Sequence, residues 1–169
     1  MSTTTTTHLN FRGDARAALA FYQSVFGGQA TITTYGDLGM PKDAPGAENV
    51  VFGGLETAEG FRVMAYDIPD RSDAATADVD PSADPSADPA ADPSAETGST
   101  RRENGLTLTD RPFFVSVRGE SFAEVQQYWA GLSVGATIVE AFAASAWSTG
   151  FGMLTDRFGV TWVLDVAAA

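Results

Sequence analysis

The chain of 169 residues contains no cysteine and a single histidine, His8. Without cysteine there are no disulfides, no thiolate zinc sites and no cysteine nucleophile. With one histidine, a serine triad would have to be built on His8, and no Gly-x-Ser-x-Gly elbow accompanies it. Bases are scarce: 10 Lys and Arg stand against 22 Asp and Glu, a formal charge of −12. That balance leaves no basic patch for nucleic acid or an anionic membrane surface, so neither is an expected partner. No apolar run reaches the roughly 18 residues a membrane-spanning helix needs. The Thr-rich lead, residues 1–7, has neither a basic n-region nor an apolar h-region and does not read as a signal peptide. The expected setting is the cytoplasm.

What is present is 44% hydrophobic, at a length that permits a real core. The charge is unevenly placed. Between Asp73 and Thr100 lie seven acids and no base, so 28 residues carry −7 and the other 141 carry −5. The centre of this stretch is a four-residue repeat, Asp80-Pro81-Ser82-Ala83 through Asp92-Pro93-Ser94-Ala95. Proline at every fourth position forbids helix and ladder pairing, and Ala and Ser bring too little apolar surface to offset ordering entropy. Residues 70–105 therefore read as a disordered acidic linker.

On either side stand two segments of similar length, 8–69 and 106–166, with the same order of elements. In the first, His8-Leu9-Asn10-Phe11 alternates as a strand. Arg12-Gly13-Asp14 turns the chain, with Asp14 as N-cap, and Ala15, Ala18, Leu19, Tyr22 and Phe26 follow at helical spacing to Gly27-Gly28. Strands are expected at 30–35, 49–55 and 61–67. In the second, residues 113–117 form a strand and Arg118-Gly119-Glu120 the turn. Ser121 with Glu124 makes a capping box, and Phe122, Val125, Trp129 and Leu132 supply the helix stripe, closed by Gly135. Strands follow at 136–142, 148–155 and 160–166. At an offset of 106, Arg12, Gly13, Asp14 and Tyr22 fall on Arg118, Gly119, Glu120 and Tyr128. At an offset of 99, Gly53, Leu55 and Gly60 fall on Gly152, Leu154 and Gly159. Each half reads as βαβββ, and each is too small for a good core alone.

Leu9 to Asp14 running into Leu19–Gly28, Met64-Ala65-Tyr66-Asp67, and above all Gly152 to Trp162 resemble the vicinal oxygen chelate superfamily. This superfamily includes glyoxalase I, bleomycin-resistance proteins and extradiol dioxygenases. Within it the chain is most similar to the PhnB-like branch, often labelled 3-demethylubiquinone-9 3-methyltransferase. The resemblance implies an α+β fold in which two βαβββ modules form a curved mixed sheet around a cavity, in a homodimer.

Metal-dependent members place a His, Gln or Glu ligand on the first and last strands of each module. Here the last strand of the first module offers Val63-Met64-Ala65. The second module begins with Pro112-Phe113-Phe114-Val115 and ends with Trp162-Val163-Leu164. With Leu9 and Phe11 facing the core, Thr6 takes the remaining ligand position and His8 and Asn10 share its face; matching the helices without a gap puts Thr7 there instead. None of these sets holds a divalent cation. No metal and no cofactor are expected, and glyoxalase I and ring-cleaving chemistry fall with the metal. A methyltransferase would need a Gly-x-Gly loop entering a helix, and the chain has none.

His8 reads either as a pocket general base or as a hydrogen-bonded strand histidine, and no catalytic residue is assigned. Aromatics on the strands suit a wall for a planar or apolar ligand, or equally a filled core or dimer interface. The candidate ligand-binding residues are His8, Asn10, Phe52, Met64, Tyr66, Phe114, Trp147, Phe151 and Trp162. The expected function is metal-independent binding of a small molecule, as in drug or metabolite sequestration. The alternative is a lyase, dioxygenase or transferase of the same superfamily.

Overall fold

Alternation sets each strand's two faces, and the helices decide which face is packed. The computed structural model describes residues 3–69 and 100–168. The Asp-Pro repeat, and the part of the linker reading that covers 70–99, lie outside the described residues. The described residues divide into two compact units, one of residues 3–20 and 29–69, the other of residues 21–28 and 100–168. The first module therefore does not run unbroken from 8 to 69: residues 21–28 group with the second unit.

β1 (Thr7–Phe11) leads into α1 (Ala15–Phe26), whose residues from Phe21 on group with the second unit, and the first unit continues with β2 (Gln29–Thr34), β3 (Val50–Glu56) and β4 (Arg62–Asp67). The sheet order is β1-β4-β3-β2, with β1 parallel to β4 and the other pairs antiparallel. Leu9, Phe11, Val63, Ala65 and Leu55 are buried. Asp14 stands at the N-cap position, its carbonyl accepting the Ala18 N–H at 2.8 Å. The carboxylate at this helix start, however, is that of buried Asp67. Its Oδ1 accepts the Gly13 and Ala15 N–H groups at 2.8 and 3.0 Å, and its Oδ2 accepts the Val50 N–H at 2.8 Å. A negative charge here complements the helix dipole and ties β4, α1 and β3 together.

In the second unit, β7 (Val115–Gly119), α2 (Phe122–Leu132), β8 (Thr137–Ala143), β9 (Phe151–Thr155) and β10 (Thr161–Val166) repeat the order β7-β10-β9-β8, again with one parallel pair. Ser121 caps α2, its hydroxyl accepting the Glu124 N–H, while the Glu124 carboxylate takes the Glu120 N–H at 3.0 Å. Between the units' strands comes a hairpin that composition concealed, β5 (Arg101–Glu103) and β6 (Leu106–Leu108). Its two-residue turn is Asn104-Gly105, both at positive φ, the geometry that matches strand twist. The stretch read as linker up to residue 105 thus ends inside an ordered hairpin.

The duplication holds at an offset of 99 in detail. Gly53 and Gly152 both lie where a strand passes beneath a helix: a Cβ would meet Leu19 Cδ1 at 2.5 Å in one and Trp129 Cζ3 at 2.7 Å in the other. The offset of 106 fails in conformation. Gly13 is in a turn at φ +98, whereas Gly119 closes strand β7, where a Cβ would strike Val125 Cγ2 at 2.6 Å. Arg118-Gly119-Glu120 is therefore not a copy of the first turn. No helix among the described residues is long and apolar enough to cross a membrane.

The second unit's core centres on Asp156, which is 4% exposed. Its Oδ1 accepts the Phe158 and Val160 N–H groups at 2.8 and 3.0 Å. Its Oδ2 accepts the Tyr22 hydroxyl and the Trp162 indole N–H, both at 2.8 Å. Burial, then the Asp156 charge and hydrogen bond, push the Tyr22 hydroxyl far above the ordinary tyrosine range.

Two outcomes follow from these contacts. Gly152→Ala should destabilise by about 1–3 kcal/mol through overpacking against Trp129, read as a lowered urea midpoint. Tyr22→Phe should cost about 1–2 kcal/mol near neutral pH. Above about pH 10 the unfolded tyrosine loses a proton that the folded one keeps, so wild-type stability falls by up to about 1.4 kcal/mol per pH unit from this group alone. The variant lacks that loss, and the gap between the two proteins should narrow from about pH 8 to about pH 11. A gap that stays constant over that range would contradict the assignment.

Candidate functional site

Each sheet packs one face against its helix, and the residues of the opposite face include most of the candidates. On the first sheet, His8 pairs with Met64 and Asn10 with Tyr66 across β1 and β4. Gly53 pairs with Ala65 on the packed face, so alternation sends Phe52 to the same open face as Tyr66. His8, Asn10 and Phe52 are exposed there, Phe52 at 54%, and Met64 and Tyr66 are half-buried. The His8 and Tyr66 rings meet edge-on at 6.2 Å. Leu9 and Phe11 are the core residues of β1, and His8 and Asn10 point to the opposite face.

Tyr35, absent from the candidate set, joins this face. Its ring lies 6.5 Å from that of Tyr66 and its hydroxyl donates to the Asp67 carbonyl at 3.1 Å. Burial and hydrogen bonding with Tyr66, together with the charges of Tyr66 and Asp67, raise its pKa above the ordinary value. It lies within the strand expected at 30–35 and just past the end of β2, and as an aromatic at a strand end it carried the same signal as Phe52 and Tyr66.

The second sheet distributes the remaining candidates unevenly. Phe114 and Phe151 are half-buried on the open face, and Trp147 sits in the preceding loop, 66% exposed and edge-on to Phe151 at 5.5 Å. Trp162 does not join them. It is fully buried on the packed face, its N–H spent on Asp156, with Tyr22 and Phe26 against its ring. The same parity in β10 carries Leu164 and Val166, both buried, and this run of even-numbered apolar residues was the signal for a core position.

The open face of this second sheet also carries Arg118, Asp165, Val163, Met153 and Glu140. Arg118 Nη2 and Nε reach Asp165 Oδ2 at 2.7 and 2.9 Å, and that contact holds the guanidinium above its ordinary pKa. The β5–β6 hairpin covers the other end of the face. Arg102 Nε donates to Glu140 Oε2 at 2.7 Å, Thr107 Oγ1 lies 3.8 Å from Met153 Sδ, and the Thr100 and Thr161 hydroxyls are 3.5 Å apart.

The segments where the resemblance implies metal ligands are Val63-Met64-Ala65, Pro112-Phe113-Phe114-Val115 and Trp162-Val163-Leu164, with Thr6 or Thr7 on the first strand. The three segments offer only apolar or thioether side chains, a poor match for a hard or borderline divalent cation. Among the described residues no cluster of three or more His, Asp or Glu is arranged to hold a metal ion.

Comparison with known proteins bears on this arrangement. The family model for the Glyoxalase/Bleomycin resistance protein/Dioxygenase superfamily matches residues 7–164. Protein YjdN of Escherichia coli is 24% identical over 160 residues, covering 94% of this chain and 92% of its own. Among solved structures, protein PA1353 of Pseudomonas aeruginosa superposes with a TM-score of 0.67 at 22% identity, over 98% of both chains. The PhnB protein of Bacillus cereus superposes with a TM-score of 0.61 at 22% identity, over 98% of this chain and all of its own.

Arg102 is the charged tie between the hairpin and the sheet, with side chains 26% and 39% exposed at its two ends. Arg102→Ala should change global stability by less than about 1 kcal/mol. It should nonetheless speed thermolysin cleavage beside Leu106 several-fold, because local opening of the hairpin, rather than global unfolding, exposes that bond.

Proposed function

Because the chain belongs to the glyoxalase/bleomycin resistance protein/dioxygenase superfamily, we propose that it binds a small molecule on the open faces of its sheets and does so without a divalent metal. The observation that carries this reading is the row on the first sheet. His8, Asn10, Met64, Tyr66 and Phe52 share one face in register, combining apolar and aromatic bodies with a few polar tips. Such a surface suits a flat, largely apolar ligand fixed by one or two hydrogen bonds. Phe114, Phe151 and Trp147 add the same chemistry on the second sheet. The apolar side chains at the family's ligand positions support binding rather than Lewis-acid catalysis. Sequestration of a drug or metabolite is the activity that asks nothing more of these residues. We take the working form to be a homodimer in the cytoplasm, the dimer being open to light scattering.

A ligand-observed NMR screen in the presence of chelator should return planar apolar hits. Tyr66→Ala and Phe52→Ala should each weaken such a hit about tenfold, or about 1.4 kcal/mol. Stoichiometric divalent metal in the tag-free protein, or binding abolished by chelator, would overturn metal independence. Turnover that survives chelator and disappears in His8→Ala would favour the enzymatic alternative.

A further inference from the structure

Asp165 is 9% exposed, and only one of its two oxygens is used. Oδ2 receives both Arg118 contacts, whereas Oδ1 is buried and accepts no hydrogen bond among the described residues. A carboxylate oxygen closed to water and lacking a donor is costly, so its persistence calls for an explanation. Its cross-strand neighbours on this face are Arg118 in β7 and Phe151 in β9. Trp147 lies edge-on to Phe151 and is two-thirds in solvent.

The loop carrying Trp147 is pinned on both sides. The Ser145 N–H donates to the Ser148 carbonyl at 2.9 Å, and Ser148 Oγ donates to the Gly150 and Val166 carbonyls at 2.8 and 3.0 Å. The backbone beside β10 is therefore held, while the indole projects largely into solvent. Arg118, with a side chain 69% exposed, is screened by water far more than the carboxylate it pairs with, which is 12% exposed. Asp165 is paired through Oδ2 alone and lies across the strands from Phe151, whose ring meets Trp147 edge-on.

We propose that Asp165, Phe151 and Trp147 form a recognition site for a protonated amine carried on a small aromatic body. The ammonium donates to Oδ1, its charge is favoured by the faces of the two rings, and the aromatic body lies along Phe151 after Trp147 rotates. This rests on the reading that the open faces bind a small molecule, and it names the ligand chemistry at one end of the second sheet.

The test uses two probes of equal size on the full chain, phenethylamine and benzyl methyl ether, the second having no donor. Binding is followed by the shifts of the Arg118 Nε–H and of the backbone amides of residues 147–151 and 165. Phenethylamine should bind at least tenfold more tightly than the ether and move those signals. Asp165→Asn should reduce the preference to near parity, whereas Glu48→Gln, which removes the same charge from the first unit, should leave it intact. Equal binding of the two probes to the wild-type chain would overturn the amine site while leaving small-molecule binding in place. So would a preference that survives Asp165→Asn, or failure of the amine to bind at all. The wild-type comparison stands even if the variant does not fold.

Discussion

The Asp156 carboxylate is the constraint around which the second unit is organised. Four donors from three directions converge on it: two turn amides, a phenol and an indole. A charge this deeply buried is tolerable only when every lone pair is occupied, and here the occupants come from α1, from β10 and from the turn itself. Its position on the chain makes the arrangement more telling. At an offset of 99 the matching residue is Thr57, and the backbone of the two turns is the same. The Gly60 N–H donates to the Thr57 carbonyl at 3.2 Å, as Gly159 does to Asp156 at 3.0 Å. Thr57 Oγ1 accepts the Phe61 N–H at 3.2 Å, the counterpart of Asp156 accepting Val160. A hydroxyl is enough to form the turn. The second carboxylate oxygen is what reaches beyond it to the aromatic core.

The first unit places its buried carboxylate elsewhere, at the end of β4, where Asp67 holds the start of α1 and the first residue of β3. Both units thus fix their sheets with an aspartate on the packed side, one at a strand end and one at a turn. Polar tips and aromatic bodies collect on the opposite faces, where the second sheet also carries the Arg118–Asp165 pair and the hairpin contacts. The two open faces are not alike. The first carries the Tyr35 ring beside Tyr66, while the second is partly roofed by the β5–β6 hairpin, with the Arg118–Asp165 pair at its other end.

Much of this was legible in the sequence. Leu9 and Phe11 alternating with His8 and Asn10 fixed the facing of β1. The paired glycines at 53 and 152 marked where each strand passes under its helix. Three features were missed for identifiable physical reasons. The acidic composition before residue 100 masked Asn104-Gly105, a hairpin signal that composition does not carry. Repetition of Arg-Gly suggested a repeated turn, yet Gly119 is required by the closeness of Val125 rather than by its own torsion. Trp162 was grouped with the ligand wall for being aromatic, although its parity with Leu164 and Val166 assigns it to the core. Long-range partners such as Tyr22 for Asp156, 134 residues apart, leave no periodic trace at all.

The placement of tryptophan has a spectroscopic consequence. All three tryptophans, Trp129, Trp147 and Trp162, belong to the second unit. One is sealed in the core against a carboxylate and another stands largely in water, so their emission differs in colour and in access to quenchers. Indole fluorescence of this protein therefore observes the second unit through two distinguishable windows and is blind to the first, whose events must be followed through its tyrosines or through an indole placed there.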